Sequence, residues 1–292
     1  MQPQEIEGRQ EAVRHQYDAN DAIITTFVDP ETRMYTCAYF PQEGMTLGQA
    51  QIAKTDHTLA KLDLRPGETL LDIGSGYGYA LRRAQELYGV NGVGLNLSPV
   101  QLEHSRQVAR GLEGLEYRLE GWETYEGRID AIVVIGSFEH FGRENYPAFF
   151  AKAQSLLPAG GLMLLHTITF GNPPPPDKKF AFGRYSIFMK NEIFPGGELP
   201  YPDEIRTLSS QAGFELLDEE SLQPHYAKTL DRWADNLAAN RDKAIVVAGE
   251  KTFDKYLQYL MQSADWFRRG TIDVRQFLFR ANNPKVAYLF HL

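Results

Sequence analysis

The chain has 292 residues, 43% hydrophobic and 23% charged, which excludes a mainly disordered polymer and allows a full core without disulfides. Thirty basic against 38 acidic residues leave a net charge of -8, which argues against a nucleic-acid partner. Cys37 stands alone, no apolar run approaches the roughly 18 residues of a membrane span, and the N-terminus lacks an apolar signal core, so a soluble cytoplasmic protein is expected.

Residues 1–60 predict helices on either side of an aromatic, non-helical stretch, RMYTCAYF, at 33–40. Thr46 is a plausible cap for the second helix. RPGE at 65–68 reads as a turn. From Thr69 the pattern alternates strand and helix. TLLDIG, VNGVGLNLS, LEYRLEG, IDAIVVIGSF and GLMLLHTITF read as strands. YALRRAQELYG, PVQLEHSRQVARGL and ENYPAFFAKAQSLLP read as helices, the second with Ser98 as cap and Pro99 at its first position. The apolar run of IDAIVVIGSF fits a parallel strand covered on both faces. The fold class is α/β, a doubly wound, mostly parallel sheet.

Residues 171–200, with four prolines at 173–176 and several aromatics, cannot form a regular core strand and read as an inserted lid or a surface loop. The remainder alternates helices with a last pair of strands near FELLDEESL and VRQFLFRA. Four segments follow: 1–60, a helical cap; 61–170, the α/β core; 171–230, a lid and return to the core; and 231–292, C-terminal helices and last strands of the same domain.

The strongest local signal is LDIGSGYG at 71–78, where a strand ends, glycines turn the chain and a helix begins. The spacing is Gly-x-Gly-x-Gly, early for a pyrophosphate site. Asn96 stands at the end of the second strand where an NAD site wants an acid. No P-loop lysine is present. Asp72 in this loop resembles the acidic first motif of class I S-adenosylmethionine methyltransferases.

Within that class the chain resembles the cyclopropane fatty acid synthases of the mycolic acid type over nearly its whole length. The marks are YTCAYF at 35–40, MTLGQAQIAK at 45–54, LDIGSGYG at 71–78, VGLNLSPVQ at 93–101, GWE at 121–123 and IGSFEHFG at 135–142. LLHTIT at 164–169, EIFPGG at 192–197 and QPHYAKTLDRW at 223–233 complete the series. The resemblance implies a methylene added across a double bond of an unsaturated acyl chain, with S-adenosylmethionine as methyl donor. The alternative is a C-methyltransferase of the same fold acting on another alkene or a natural-product intermediate. A noncatalytic lipid or cofactor binder is disfavoured by Glu139, His166 and Tyr226. Substrate presentation on an acyl carrier protein or at a membrane surface is also implied.

By position, the resemblance places Tyr17, Tyr35, Thr36, Asp72, Gly74, Gly76, Asn96, Leu97, Gln101, Trp122 and Glu123 at the cofactor. The family usually has Ser at Thr36 and often has Thr at Asn96, Cys at Ser75 and Trp at Tyr77. It also implies a bound bicarbonate as base, cradled by the backbone around Cys37 and Ile135 with Glu139, His166 and Tyr226. A donor histidine and tyrosine and an accepting carboxylate suit that task. A metal held by Glu139, His140, His166 and His225 has no supporting spacing, and none is expected. Phe138, Phe141, Phe188 and Phe194 are either faces for a developing cation or core. In the hydroxyl-forming branch of the family a carboxylate occupies the position of Gly136, so ring closure is expected here unless Ser137 recruits water. The proline-bearing lid departs from the mycolic enzymes, where this connection is longer and more helical.

Overall fold

The computed structural model describes residues 3–282. In chain order these are α1 Pro3–Ile24, α2 Leu47–Ala60, β1 Thr69–Ile73, α3 Tyr79–Tyr88, β2 Asn91–Asn96, α4 Pro99–Val108, β3 Leu115–Leu119, β4 Ala131–Ile135, α5 Tyr146–Leu156 and β5 Leu162–Phe170. There follow α6 Lys179–Phe188, α7 Pro202–Gln211, β6 Phe214–Ser221, α8 Gln223–Ala239, α9 Arg241–Ala248, α10 Glu250–Arg268 and β7 Ile272–Ala281. The sheet order is β3-β2-β1-β4-β5-β7-β6. The first five strands are parallel, and β7 runs antiparallel to β5 and β6.

Alternation along the strands decides what each face buries. Leu70, Ala131, Val133 and Leu164 join Leu81 and Leu102 of α3 and α4 on one face. Leu71, Ile132, Val134, Met163 and Leu165 join Phe149, Phe150 and Ile205 of α5 and α7 on the other. That two-sided burial explains the unbroken apolar run of β4. A third core stands apart from both faces. There Phe27, Cys37 and Ala38 pack with Trp233 of α8 and Tyr256 and Phe267 of α10.

Helix starts match the local chemistry. Thr46 and Gln49 form a capping box at α2. Ser98 accepts from Gln101 N at 3.2 Å with Pro99 at the first position of α4, a cap contributing about 1 kcal/mol. The prolines at 173–176 end the strand and then start a helix, because their fixed φ suits a first turn. A 3₁₀ turn at Pro176–Lys178 leads into α6, and a π turn at Met189–Ile193 closes it. The segment read as an inserted lid or surface loop is helical from 176 to 193. Phe182 packs edge-on against Trp266, and Tyr185 Oη lies 2.9 Å from Ser263 Oγ, which fastens α6 to α10. Among the described residues no helix is long and apolar enough to cross a membrane.

Candidate active site

Two cavities meet beyond the carboxyl ends of the parallel strands, where open α/β sheets place their ligands. The first is built on the turn after β1. Gly74, Gly76 and Gly78 all have positive φ, and the amides of Gly74 and Ser75 both donate to the Leu95 carbonyl at 2.9 Å. A Cβ at Gly74 would lie 2.5 Å from Ser137 Cβ, so only glycine passes there. Asn96 clamps the same turn: Nδ2 donates to Gly76 O at 2.8 Å and Oδ1 accepts from Ser98 N at 2.9 Å. Tyr77 donates to Asp21 and so ties α1 to the loop.

This cavity is lined by Tyr17, Tyr35, Thr36, Asp72, Gly74, Gly76, Asn96, Leu97, Gln101, Trp122 and Glu123, the whole set expected at the cofactor. Ser75 Oγ is buried there without a partner, a polar atom left for a ligand. Trp122 is held edge-on by Phe149, and Gln10 of α1 donates to Glu123 at 3.2 Å. Burial pushes Asp72 up to about 7, against the pull of the buried Lys54 ammonium. Burial in turn brings Lys54 down to about 7.

The second cavity is lined mainly by apolar side chains of the lid, α8, α10, β5 and β7. Cys37, Glu139, His166 and Tyr226 all line it. Ile135 lines the first cavity instead, so the five residues expected around the base divide four to one. Glu139 Oε1 accepts from Ile168 N at 2.6 Å, while Oε2 is buried without a partner. Burial raises its pKa above the ordinary carboxylate range. His166 is 1% exposed and held neutral, because burial and then the nearby Lys54 charge disfavour the imidazolium. Burial also keeps the Tyr226 hydroxyl protonated. Cys37 is fully buried, its thiol donates to Ala38 O at 3.1 Å, and burial raises its pKa, so it is no nucleophile.

Tyr17, Tyr35, Thr36, Gly136 and His140 line both cavities and mark their junction. Tyr17 Oη lies 2.9 Å from His140 Nε2, and Tyr35 Oη donates to Tyr259 Oη at 3.1 Å. Lys54, which the sequence did not single out, donates to Thr36 Oγ1 at 2.9 Å from a fully buried position. Ser137 does not face the second cavity: its hydroxyl donates to Ile73 O at 2.6 Å and it lines only the first.

Of the four phenylalanines, Phe194 lines the second cavity and Phe141 the first. Phe138 is core, stacked on Tyr146 at 4.1 Å. Phe188 packs against the third core without lining either cavity. His225 accepts from Phe40 N through Nδ1 and lines neither cavity, so Glu139, His140, His166 and His225 do not converge.

Comparison with known proteins agrees with this architecture. The profile of the family described as mycolic acid cyclopropane synthetase matches residues 4–277. The chain is 46% identical over 283 residues to cyclopropane mycolic acid synthase 1 of Mycobacterium tuberculosis, covering 94% of this chain and 98% of that one. It is 43% identical to the cyclopropane mycolic acid synthase MmaA2 of the same organism, covering 91% and 96%. The crystal structure of mycolic acid cyclopropane synthase CmaA1 complexed with SAH and CTAB superposes with a TM-score of 0.89 at 46% identity, covering 93% and 98%. The [4+2]-cyclase SpnF, at 17% identity and a TM-score of 0.77, shares the fold alone. On these grounds the chain belongs to the mycolic acid cyclopropane synthetase family of S-adenosylmethionine-dependent methyltransferases.

Proposed function

We propose that this enzyme adds a methylene across a carbon–carbon double bond of an unsaturated acyl chain, using S-adenosylmethionine and yielding a cyclopropane. The observation that carries this reading is the junction. The cavity on the glycine loop meets the lid-side cavity at Tyr17, Tyr35, Thr36, Gly136 and His140, and Glu139, whose Oε2 is buried without a partner, lines the lid-side one. The relatives' names and the SAH in the CmaA1 complex support it.

In this reading residues 1–60 cap the cofactor, 61–170 hold it, and 171–230 contribute the lid. Asn96, Leu97 and Gln101 bind the ribose and adenosine, Trp122 and Glu123 the adenine, and Gly74, Gly76 and Asp72 the methionine end. Tyr17, Tyr35 and Thr36 close the cavity from the cap. The donor, once bound, supplies an electrophilic methyl. The alkene π electrons would form a bond to that methyl carbon as its bond to sulfur breaks and S-adenosylhomocysteine leaves with the electron pair, which puts a cation on the second alkene carbon. Loss of one proton from the added methyl then closes the ring, a net gain of CH₂. The aromatic rings of Phe194, Tyr226 and Tyr259, which line the second cavity, stabilise the cation without quenching it.

The proton needs an acceptor, and the residues present fit a small oxyanion such as bicarbonate. His166 is a buried neutral imidazole with one N–H to donate, Tyr226 a buried hydroxyl that keeps its proton, and Glu139 keeps one oxygen free of protein partners. The Cys37 backbone would complete the cradle on that side, with Ile135 reaching it only from the first cavity. Bound bicarbonate supplies the base, and this chain's side chains orient it and keep water out. Delivery from an anionic carrier protein or lipid surface suits the lid, whose outer side exposes Phe180 and Ile187 beside Lys179, Arg184 and Lys190.

The test is release of S-adenosylhomocysteine by the purified protein with S-adenosylmethionine and paired lipids that differ only in one cis double bond. Release with the unsaturated lipid alone supports the reading. Release with both, or with neither across unsaturated phospholipids and thioesters, removes it.

A further inference from the structure

One face of α2 is polar yet buried. Gln51, Lys54, Thr55 and Thr58 are each 0% exposed, and their spacing puts them on one side of the helix. Their partners belong to the reaction centre or lie next to it. Gln51 donates to Thr36 O at 2.8 Å, and Lys54 donates to Thr36 Oγ1 at 2.9 Å. Thr58 Oγ1 donates to Lys54 O at 2.7 Å and accepts from Gln276 Nε2 at 2.8 Å. Gln276, itself 0% exposed, sits directly across from His166 in the antiparallel β5–β7 pair. Its Nε2 lies 3.3 Å from His166 Nδ1.

These contacts fix proton positions. Because the Thr58 hydroxyl spends its hydrogen on Lys54 O, it can only accept from Gln276. The group that Gln276 turns toward Thr58 is therefore the NH₂, and the same NH₂ meets His166 Nδ1. A neutral imidazole offers one acceptor and one donor. Nδ1 accepts from the amide, so Nε2 carries the proton. The reversed amide would leave two buried N–H groups unpaired in place of the single unpaired Oε1, which costs more.

We infer that Gln276 is a positioning residue: its amide, held by Thr58, fixes His166 as an Nε2–H donor for the proton-accepting group in the acyl cavity. The catalytic half of this statement rests on the role of His166 proposed above; the tautomer does not. Outer partners of this kind orient a working histidine, and their loss typically costs about 10–100-fold.

The tautomer is read by long-range ¹H–¹⁵N correlation on histidine-labelled full-length protein, with His166→Gln used to assign the signal. Wild type should show Nε2–H, and Gln276→Glu, which presents an accepting oxygen, should shift the population to Nδ1–H. Gln276→Leu should leave a mixture. Both variants should lower kcat about 10–100-fold with KM for S-adenosylmethionine unchanged, since Gln276 does not line the cofactor cavity. Nδ1–H in the wild type overturns the inference without any variant having to fold. So does an unmoved tautomer in both folded variants. A tautomer that moves while kcat stays constant leaves Gln276 in control of the ring and removes His166 from the chemistry.

Discussion

Gly136 and Thr36 touch at the junction of the two cavities: a Cβ built on Gly136 would stand 2.7 Å from Thr36 Cγ2. Gly136 also has φ +67, a conformation that side chains resist. A residue with any side chain at 136 must therefore be paid for twice, in backbone strain and in displacement of Thr36. Gly136→Ala should lower stability by about 1–3 kcal/mol. Thr36→Ser, which removes Cγ2, should recover part of that loss in the double variant, read as a coupling energy by denaturant unfolding. Strict additivity would mean that the contact is not felt.

Glu139→Gln should leave S-adenosylhomocysteine affinity unchanged, because Glu139 lines only the second cavity, and should lower turnover about 10²–10⁴-fold. The amide oxygen can still accept from Ile168 N, so unfolding should be little altered. Titration calorimetry beside single-turnover assays separates the two. Lost affinity with normal turnover at saturation would place Glu139 in the cofactor site.

Asn96→Ala should weaken S-adenosylhomocysteine binding about tenfold or more, because it releases the Gly76 carbonyl and the Ser98 amide at once. Calorimetry with S-adenosylhomocysteine and with NAD checks both the loss and the identity of the ligand. Preference for NAD in the wild type would contradict the cofactor assignment.

His166 makes stability pH-dependent with a definite sign. The folded chain keeps it neutral far below 6.5, whereas the unfolded chain takes up a proton near 6.5. Its contribution is complete above that value and is lost as pH falls, by up to about 1.4 kcal/mol per pH unit. Asp72 and Glu139 act in the opposite sense, since their folded pKa values are raised. The measurable quantity is thus the stability difference between wild type and His166→Gln, which should move against the wild type as pH falls from 6.5 to 5. A constant difference would show that the ring is not shielded.

The strand–helix alternation from Thr69 to Phe170 was legible because each strand carries its own apolar pattern, and the LDIGSGYG turn because only glycine fits its geometry. The polar face of α2 was not. Gln51, Lys54, Thr55 and Thr58 read as an ordinary wet helix surface until the 34–37 segment and β7 cover them. Gln276 was invisible for the same reason, since its partner lies 110 residues away. Phe138 and Glu139 are neighbours in sequence, yet the 3₁₀ turn at 138–140 sends one ring into the α5 core and the carboxylate to the second cavity. No spacing rule separates them before that turn is seen. The prolines at 173–176 signalled the end of a strand correctly and hid the helix that they start.

The central claim is that the cation closes to a ring rather than taking up water. Gly136 offers no side chain to hold water, and Ser137 spends its hydroxyl on Ile73 O. Proton NMR and mass spectrometry of the lipid product, formed by purified protein with S-adenosylmethionine and cis-unsaturated acyl substrates, decide it. The account predicts one added CH₂, loss of the alkene protons and new upfield ring protons. A methyl-branched alcohol or a methyl-branched alkene as the main product would contradict it.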